Sequence, residues 1–225
     1  MIKPRIKICC ISSIEEANLA ISYGASALGL VSEMPSGPGV ISEKLISEIA
    51  AIIPPFIGSF LLTSKQAAEE IIQQQKRCKV NSIQLCDTVK QNELEKLRKE
   101  LPGISFIQVI HVKDMNSIEE AVNVSRFVDA LLLDSGDKES TVKDLGGTGR
   151  IHNWDISRDI REKVNKPIFL AGGLNPSNVM NAITKVQPFG VDVCNGLRTN
   201  GILDEKKLAE FIRAINNFFK NTNKV

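Results

Sequence analysis

The chain has 225 residues, a length that exceeds the common domain size but that α/β barrels reach as one unit. Its 43% hydrophobic and 24% charged residues are ordinary for a globular protein, and a formal charge of +2 without a basic block argues against a nucleic-acid partner. No run of about 18 apolar residues offers a membrane span, so we expect no membrane partner. From the length, we expect one domain over residues 1–225.

The first residues form a β-like run and lack the long apolar stretch and cleavage site of a signal peptide, so we expect a cytoplasmic protein. The cysteines are odd in number and contain no CxxC pair, which argues against a disulfide framework and a structural zinc site. We therefore expect reduced thiols and no metal.

Short β-branched apolar runs alternate with amphipathic stretches along the whole chain, a pattern typical of repeated βα units around a parallel sheet. The predicted strands cover residues 6–11, 27–32, 56–62, 82–86, 106–112, 130–135, 167–172 and 190–194. The helices that follow are predicted to begin near Ile14, Ser42, Ser64, Lys90, Asn116, Asp155, Pro176 and Asp204. Capping residues are expected at Ser12 or Ser13, at Thr63 or Ser64, and at Asn175.

Runs such as Ala-Leu-Leu-Leu before Asp134 are apolar on both faces, as strands must be when helices cover one side and a filled interior the other. Eight βα units without a linker predict a single-domain (β/α)₈ TIM barrel. A doubly wound open sheet is the alternative, but it usually has fewer strands and a glycine-rich loop after the first. The first loop here, which starts at Cys9, has no glycine.

Polar side chains and glycines gather where the predicted strands end. Cys9, Asp134 and Asp192 lie at the ends of the first, sixth and eighth strands, and glycines cluster at 146–149, 172–173 and 196. Backbone N–H groups approach phosphate closely where Cβ atoms are absent, and (β/α)₈ barrels often bind phosphate in the loops after their last strands. The sequence therefore predicts acid chemistry beside a bound phosphate.

These motifs resemble the phosphoribosylanthranilate isomerase family of tryptophan biosynthesis. The resemblance covers nearly the whole chain and includes Lys-Ile-Cys at 7–9, Leu-Leu-Asp-Ser at 132–135, GGTG at 146–149, LAGGLNPSNV at 170–179 and GVDVCNG at 190–196. It implies an Amadori rearrangement of an aminoaldose phosphate to an aminoketose phosphate, without a cofactor. The expected partner is thus a small phosphorylated substrate.

The resemblance also implies roles for individual residues. Asp134 would be the general acid that opens the furanose ring, and Cys9 the general base that removes the C2′ proton. We assign substrate binding to Lys7, Gln84 and Asp192. Phosphate binding is assigned to Gly147, Thr148, Gly149, Gly172, Gly173, Asn195 and Gly196.

Several positions depart from the family pattern. Pro38 stands where the family has an arginine expected to hold the anthranilate carboxylate, and loss of such a charge-assisted contact costs about 1.5 to 3 kcal/mol. Arg150 and Arg198 are either new cationic partners for an acidic group or solvated loop residues. Cys10 replaces a glycine, and Cys194 replaces a serine.

Other interpretations stay open at this point. Cys9 could be a packing thiol and Asp134 a turn-capping carboxylate, while His111 and His152 are either pocket residues or ordinary loop and strand-end histidines. The whole chain could also be a divergent barrel that binds a different sugar phosphate without isomerase chemistry. A homodimer is compatible with the sequence, which shows no clear exposed apolar stripe.

Overall fold

A computed structural model of the chain describes residues 2–136, 145–146 and 149–222. Within these residues, eight parallel strands form a closed barrel in the order β1 to β8, and β1 pairs with β8 to complete it. The strands are β1 Arg5–Ile8, β2 Ala27–Val31, β3 Gly58–Thr63, β4 Ser82–Leu85, β5 Ser105–His111, β6 Ala130–Asp134, β7 Ile168–Leu170 and β8 Gly190–Val193. The predicted (β/α)₈ barrel is confirmed, and the doubly wound alternative is wrong because no strand pair is left open.

An α-helix follows each strand of the barrel. The helices are α1 Ile14–Ser22, α2 Glu43–Ile52, α3 Ala68–Cys78, α4 Gln91–Glu100, α5 Asn116–Val124, α6 Trp154–Lys163, α7 Val179–Val186 and α8 Glu205–Thr222. A short 3₁₀ turn, Asn195–Leu197, and a hairpin of β9 Arg198–Thr199 and β10 Ile202–Leu203 separate β8 from α8. None of the described helices combines the length and the apolar character needed to cross a membrane.

The predicted starts of α1 and α2 are right, and a serine caps each helix, whereas α7 begins at Val179 rather than near Pro176. At α1 the hydroxyl of the N-cap Ser13 accepts the Glu16 N–H, and the Glu16 carboxylate accepts the N–H of the preceding residue, Ser12. The predicted start of α3 at Ser64 is wrong, since the helix begins at Ala68. Its first N–H donates 2.7 Å to the Glu93 carboxylate of the next helix, a long-range partner that local sequence does not reveal.

Two apolar layers fill the fold. The larger layer lies between the strands and the helices, and a smaller cluster that includes Phe60, Leu132 and Phe169 fills the barrel interior. Because side chains alternate along a strand, every strand contributes to the larger layer, and β2, β3, β5, β6 and β7 also contribute to the interior cluster. The inward side chains of β1, β4 and β8 are instead the polar Lys7, Gln84 and Asp192. The interior cluster continues upward to Cys9, Cys10 and Ala171, and these residues form the floor and walls of a cavity at the carboxyl ends of the strands.

Backbone conformation explains why two strands end earlier than predicted. Cys10 has φ 62° and Gly172 has φ 79°, values that extended strands cannot contain. β1 therefore ends at Ile8 rather than Ile11, and β7 ends at Leu170. For Cys10, a non-glycine residue, the left-handed conformation is uncommon and carries a steric cost.

Candidate active site

One cavity at the carboxyl ends of the strands collects most of the predicted site residues. The cavity and the open solvent at its mouth together measure about 690 Å³. The predicted residues that line it are Cys9, Gln84, Asp134, Gly149, Gly172, Gly173, Asp192, Asn195 and Gly196. Lys7 lies below them in the barrel interior, and Gly147 and Thr148 lie outside the described residues.

Lys7 and Asp192 form a buried ion pair beneath Cys9. Lys7 and Asp192 are paired in the β1–β8 register, and the Lys7 Nζ lies 2.8 Å from the Asp192 Oδ2. The ammonium also contacts the Cys9 sulfur at 3.6 Å and the Phe60 ring at 5.4 Å from its centroid. Burial works against the charged form of Lys7, but the neighbouring carboxylate outweighs it and raises the pKa of the amine.

Gly29 on β2 has no side chain and so leaves room for the Cys9 sulfur and the Lys7 ammonium. A methyl group at Gly29 would lie 2.7 Å from the Cys9 Sγ and 3.0 Å from the Lys7 Nζ. Both distances are too short for unstrained packing, so any larger residue here would displace one of these two groups.

Asp134 is buried at the end of β6 and is framed by glycines. Burial raises the pKa of its carboxyl, although the Ser135 N–H, which donates 2.7 Å to Oδ1, works in the opposite direction. Methyl groups at Gly146 and Gly172 would lie 2.7 and 3.2 Å from the two carboxyl oxygens. The absence of side chains at these glycines therefore leaves Asp134 facing the cavity.

Two buried oxygens in the cavity lack a partner among the described residues. They are the Oε1 of Gln84 and the Oδ1 of Asp192, both in side chains that line the cavity wall. An unpaired buried acceptor costs free energy, about 1 to 3 kcal/mol, unless a ligand or water donates to it. Both positions are thus suited to bind hydroxyl or N–H groups of a ligand.

Glycine loops after β7 and β8 form one side of the cavity. Gly172 and Gly173 have φ 79° and 64°, which favours glycine, and a Cβ at Gly173 would meet the Arg150 backbone at 2.7 Å. Gly196 in the next loop packs against the Leu174 carbonyl. The two loops therefore lie against each other with their backbones exposed to the cavity, as a phosphate cradle requires.

The loop after β2 forms another side of the cavity. Ser36, Gly37 and Pro38 line the cavity, so the position at which the family has an arginine does face the site. Arg198 does not replace that arginine, and both interpretations of it from the sequence are wrong. Its guanidinium is buried and forms two hydrogen bonds with the Glu16 carboxylate, at 3.0 and 3.1 Å.

The two histidines are held by structural contacts. The His111 Nε2 lies 3.1 Å from the Cys86 carbonyl, and His111 is not among the cavity-lining residues. The His152 Nε2 lies 2.7 Å from the Ser157 hydroxyl, next to Gly172. Burial lowers the pKa of His152 to about 4, so this imidazole is neutral near pH 7.

Two interactions near the site could not be predicted from the sequence. The Cys10 and Cys194 sulfurs lie 2.6 Å apart, although these residues are separated by most of the chain. The Arg198 guanidinium also donates to the carbonyls of Cys9 and Cys10, which holds Cys10 in its left-handed conformation. The sequence shows that Cys10, Cys194 and Arg198 depart from the family pattern, but it does not reveal that these residues contact one another.

Comparisons with known proteins agree with this geometry. A family model described as N-(5′-phosphoribosyl)anthranilate (PRA) isomerase matches residues 6–214. A Methanosarcina mazei relative named N-(5′-phosphoribosyl)anthranilate isomerase 2 is 39% identical over 222 residues, which cover 97% of each chain.

Two solved structures have the same fold. A phosphoribosyl anthranilate isomerase in complex with reduced 1-(o-carboxyphenylamino)-1-deoxyribulose 5-phosphate superposes with a TM-score of 0.79 at 27% identity, over 95% of this chain and 99% of that one. A structure of monomers generated from the dimeric Thermotoga maritima enzyme gives a TM-score of 0.77 at 26% identity over the same shares.

Proposed function

Since the chain belongs to the N-(5′-phosphoribosyl)anthranilate isomerase family, we propose that it converts N-(5-phosphoribosyl)anthranilate to the corresponding 1-deoxyribulose phosphate. The observation that carries this proposal is the convergence of Cys9, Asp134 and the glycine loops on one cavity. The alternative of a barrel that binds a sugar phosphate without chemistry is not favoured, because an acid and a base face the same space.

Asp134 acts as the general acid in this proposal. A carboxyl that is to protonate the furanose ring oxygen must hold its proton close to the working pH. Burial in the cavity wall raises the pKa of Asp134, which supports that role. Protonation of the ring oxygen opens the ring and leaves a Schiff base between C1′ and the substrate nitrogen.

Cys9 acts as the general base. Its sulfur lines the cavity and lies 3.6 Å from the Lys7 Nζ. The thiolate removes the proton from C2′, and the resulting enolamine tautomerises to the ketone. Lys7, which was assigned to substrate binding from the sequence, lies below the cavity with Asp192 as its partner, so we propose that it positions Cys9 and Asp192.

The remaining contacts orient the substrate. The unpaired oxygens of Gln84 and Asp192 would accept hydrogen bonds from its hydroxyl and amino groups. The phosphate would bind backbone groups of Gly149, Gly172, Gly173 and Gly196, with Asn195 beside them and Gly147 and Thr148 assigned from the sequence alone. With acid, base and phosphate loops all supplied by the chain, the proposed reaction needs no cofactor.

A kinetic assay tests the proposed roles. Purified protein is mixed with freshly prepared phosphoribosylanthranilate, and loss of the anthranilate-type fluorescence is followed. We expect Cys9→Ser and Asp134→Asn each to lower kcat by at least about 10²- to 10⁴-fold, the usual contribution of a general acid or base. Affinity for a phosphate-bearing product analogue should change little, because neither residue is assigned to the phosphate.

Matched controls separate chemistry from folding. Cys78→Ser removes a buried thiol on α3, and Asp159→Asn removes a partly exposed carboxylate on α6, both outside the cavity. These variants should keep wild-type turnover. Full activity in Cys9→Ser or Asp134→Asn would remove that residue from the mechanism, and an inactive wild-type protein with intact product binding would refute the isomerase.

We further propose that the protein is a cytoplasmic homodimer. The Phe56 side chain is 98% exposed and lines a cleft at the amino-terminal ends of the strands together with Phe169 and the half-exposed Phe189. Apolar exposure of this kind often marks an interface, and one structural relative is described as dimeric. The free thiols support a reducing compartment.

A further inference from the structure

Two cysteines that the proposed reaction does not use meet at the rim of the cavity. Cys10 follows β1, Cys194 follows β8, and their sulfurs lie 2.6 Å apart. β1 and β8 are neighbours in the barrel, and the Cys9 N–H donates 2.9 Å to the Val193 carbonyl just below the pair. The backbone thus brings the two cysteines together at the ends of adjacent strands.

The left-handed conformation of Cys10 is what directs its sulfur to this place. Along β1, Ile8 packs in the outer layer and Cys9 in the interior cluster, so strict alternation would place Cys10 outside. With φ 62° the Cys10 side chain instead joins the interior cluster and lines the cavity. The Arg198 guanidinium binds the Cys10 carbonyl and so holds this conformation.

The surroundings also make one of the two sulfurs the better nucleophile. Cys194 is partly exposed, whereas Cys10 is buried. The hydrogen bond shared with Cys10 lowers the pKa of Cys194 against the effect of burial, and the Arg198 charge lowers it further. An accessible thiolate with a second thiol in contact is the arrangement found at redox-sensitive cysteines.

We propose that Cys10 and Cys194 form a reversible redox modification site, at which a hydroperoxide oxidises the two thiols to a disulfide across the first and last strands. The Cys194 thiolate attacks a peroxide oxygen, the O–O bond breaks, and the leaving hydroxide is protonated to water. Cys10 then attacks the sulfur of the sulfenic acid, the S–O bond breaks, and its proton leaves with the hydroxyl as a second water. Two thiols and one hydrogen peroxide thus give one disulfide and two waters, and a dithiol reductant reverses the change.

Thiol counting and peptide mapping test this site without reference to isomerase activity. The reduced protein, with five free thiols, is treated with stoichiometric hydrogen peroxide, alkylated and digested with trypsin without reduction. We expect loss of two alkylatable thiols and a cross-linked pair of the peptides that contain Cys10 and Cys194. Dithiothreitol should restore all five.

Variants identify the partners. Cys10→Ser and Cys194→Ser should each abolish the cross-link, whereas Cys78→Ser, which lies on α3, should leave it intact. Cys9→Ser should also keep the cross-link, which would show that Cys9 is not one of the two bonded cysteines. A Cys9–Cys10 bond, sulfinic acids without a cross-link, or five unreacted thiols under peroxide that oxidises dithiothreitol would each overturn the proposal. Mapping of the wild-type chain decides the question even if a variant fails to fold.

Discussion

Lys7 shows how a charge can be kept in the interior of a barrel. Its side chain has no solvent exposure, and its ammonium is held by the Asp192 carboxylate at 2.8 Å and by the face of Phe60. A buried ion pair contributes little net stability, but removal of one partner leaves the other charge buried and uncompensated. The two residues should therefore depend strongly on each other.

We expect Lys7→Met to lower the free energy of unfolding by about 3 to 5 kcal/mol, the range seen when a buried pair loses one member. Lys44→Met is the matched control, since Lys44 is 87% exposed and its ion pair with Glu48 is 3.8 Å long. Urea denaturation measures both. Equal and small losses of unfolding free energy in the two variants would show that Asp192 does not depend on Lys7 as its partner.

Pro38 gives a gain-of-affinity prediction. It lines the cavity at the position of the family's arginine, and proline offers no donor to a carboxylate. We expect Pro38→Arg to lower KM for phosphoribosylanthranilate by about tenfold or more, in line with about 1.5 to 3 kcal/mol for a hydrogen bond to a charged group. Steady-state kinetics measures the effect, with Pro38→Gln, which lacks the charge, as the control.

An unchanged KM in Pro38→Arg would mean that the aryl carboxylate is bound elsewhere in this protein.

The strand-end residues Cys9 and Asp134 could be assigned to the site from their positions in the βα pattern alone. The buried ion pair of Arg198 could not be predicted, because its partner Glu16 is 182 residues away in the sequence and only the closed barrel brings the two together.

At the scale of elements, the sequence predicted strands and helices best where local chemistry determines them. The capping contacts of α1 lie within the five residues from Ser12 to Glu16, so its start could be predicted directly. The start of α3 depends on Glu93 of α4, and the end of β1 depends on the positive φ of Cys10. Contacts between distant segments determine both boundaries, and the pattern of apolar residues does not reveal such contacts.

The loop before α6 is anchored to that helix by His152, which makes a pH prediction possible. The pKa of His152 is lowered from 6.5 to about 4 by burial, and its Nε2 pairs with Ser157 on α6. Between these values the unfolded chain binds a proton that the folded chain does not, so the free energy of unfolding falls as pH falls through this window.

We therefore expect the wild-type protein to lose on the order of 1 to 2 kcal/mol more stability than His152→Gln between pH 7 and about pH 5. Partial exposure of the ring sets the lower end of this range. Denaturation curves at several pH values measure the difference, in which other titrating groups such as Asp134 cancel. Parallel pH profiles for the two proteins would contradict the assignment.

The whole molecule presents opposite ends with different character. The carboxyl ends of the strands carry the cavity, while the amino-terminal ends carry the exposed Phe56 and the cleft beside it. A dimer formed through the amino-terminal end would leave the cavity of each protomer open. Assembly and turnover should therefore be separable.

We expect Phe56→Asp to convert a dimer to a monomer in light scattering after size exclusion, because a charge would be buried without a partner at the interface. Since this ring is almost fully exposed, the substitution should leave the folded barrel and its turnover intact. Ile52→Asp, at a partly exposed site on α2, is a control that should not change the mass. A wild-type monomer at micromolar concentration would refute the dimer.

The Lys7–Asp192 pair also has a consequence for synthesis of the chain on the ribosome. Lys7 lies on the first strand of the barrel and is made before its partner, which lies on the last strand. Until β8 leaves the exit tunnel, any compact intermediate must keep the Lys7 amine in water or bury it unpaired. β1 therefore gains its charge partner only once β8 has been made, so we expect the barrel to close late in synthesis.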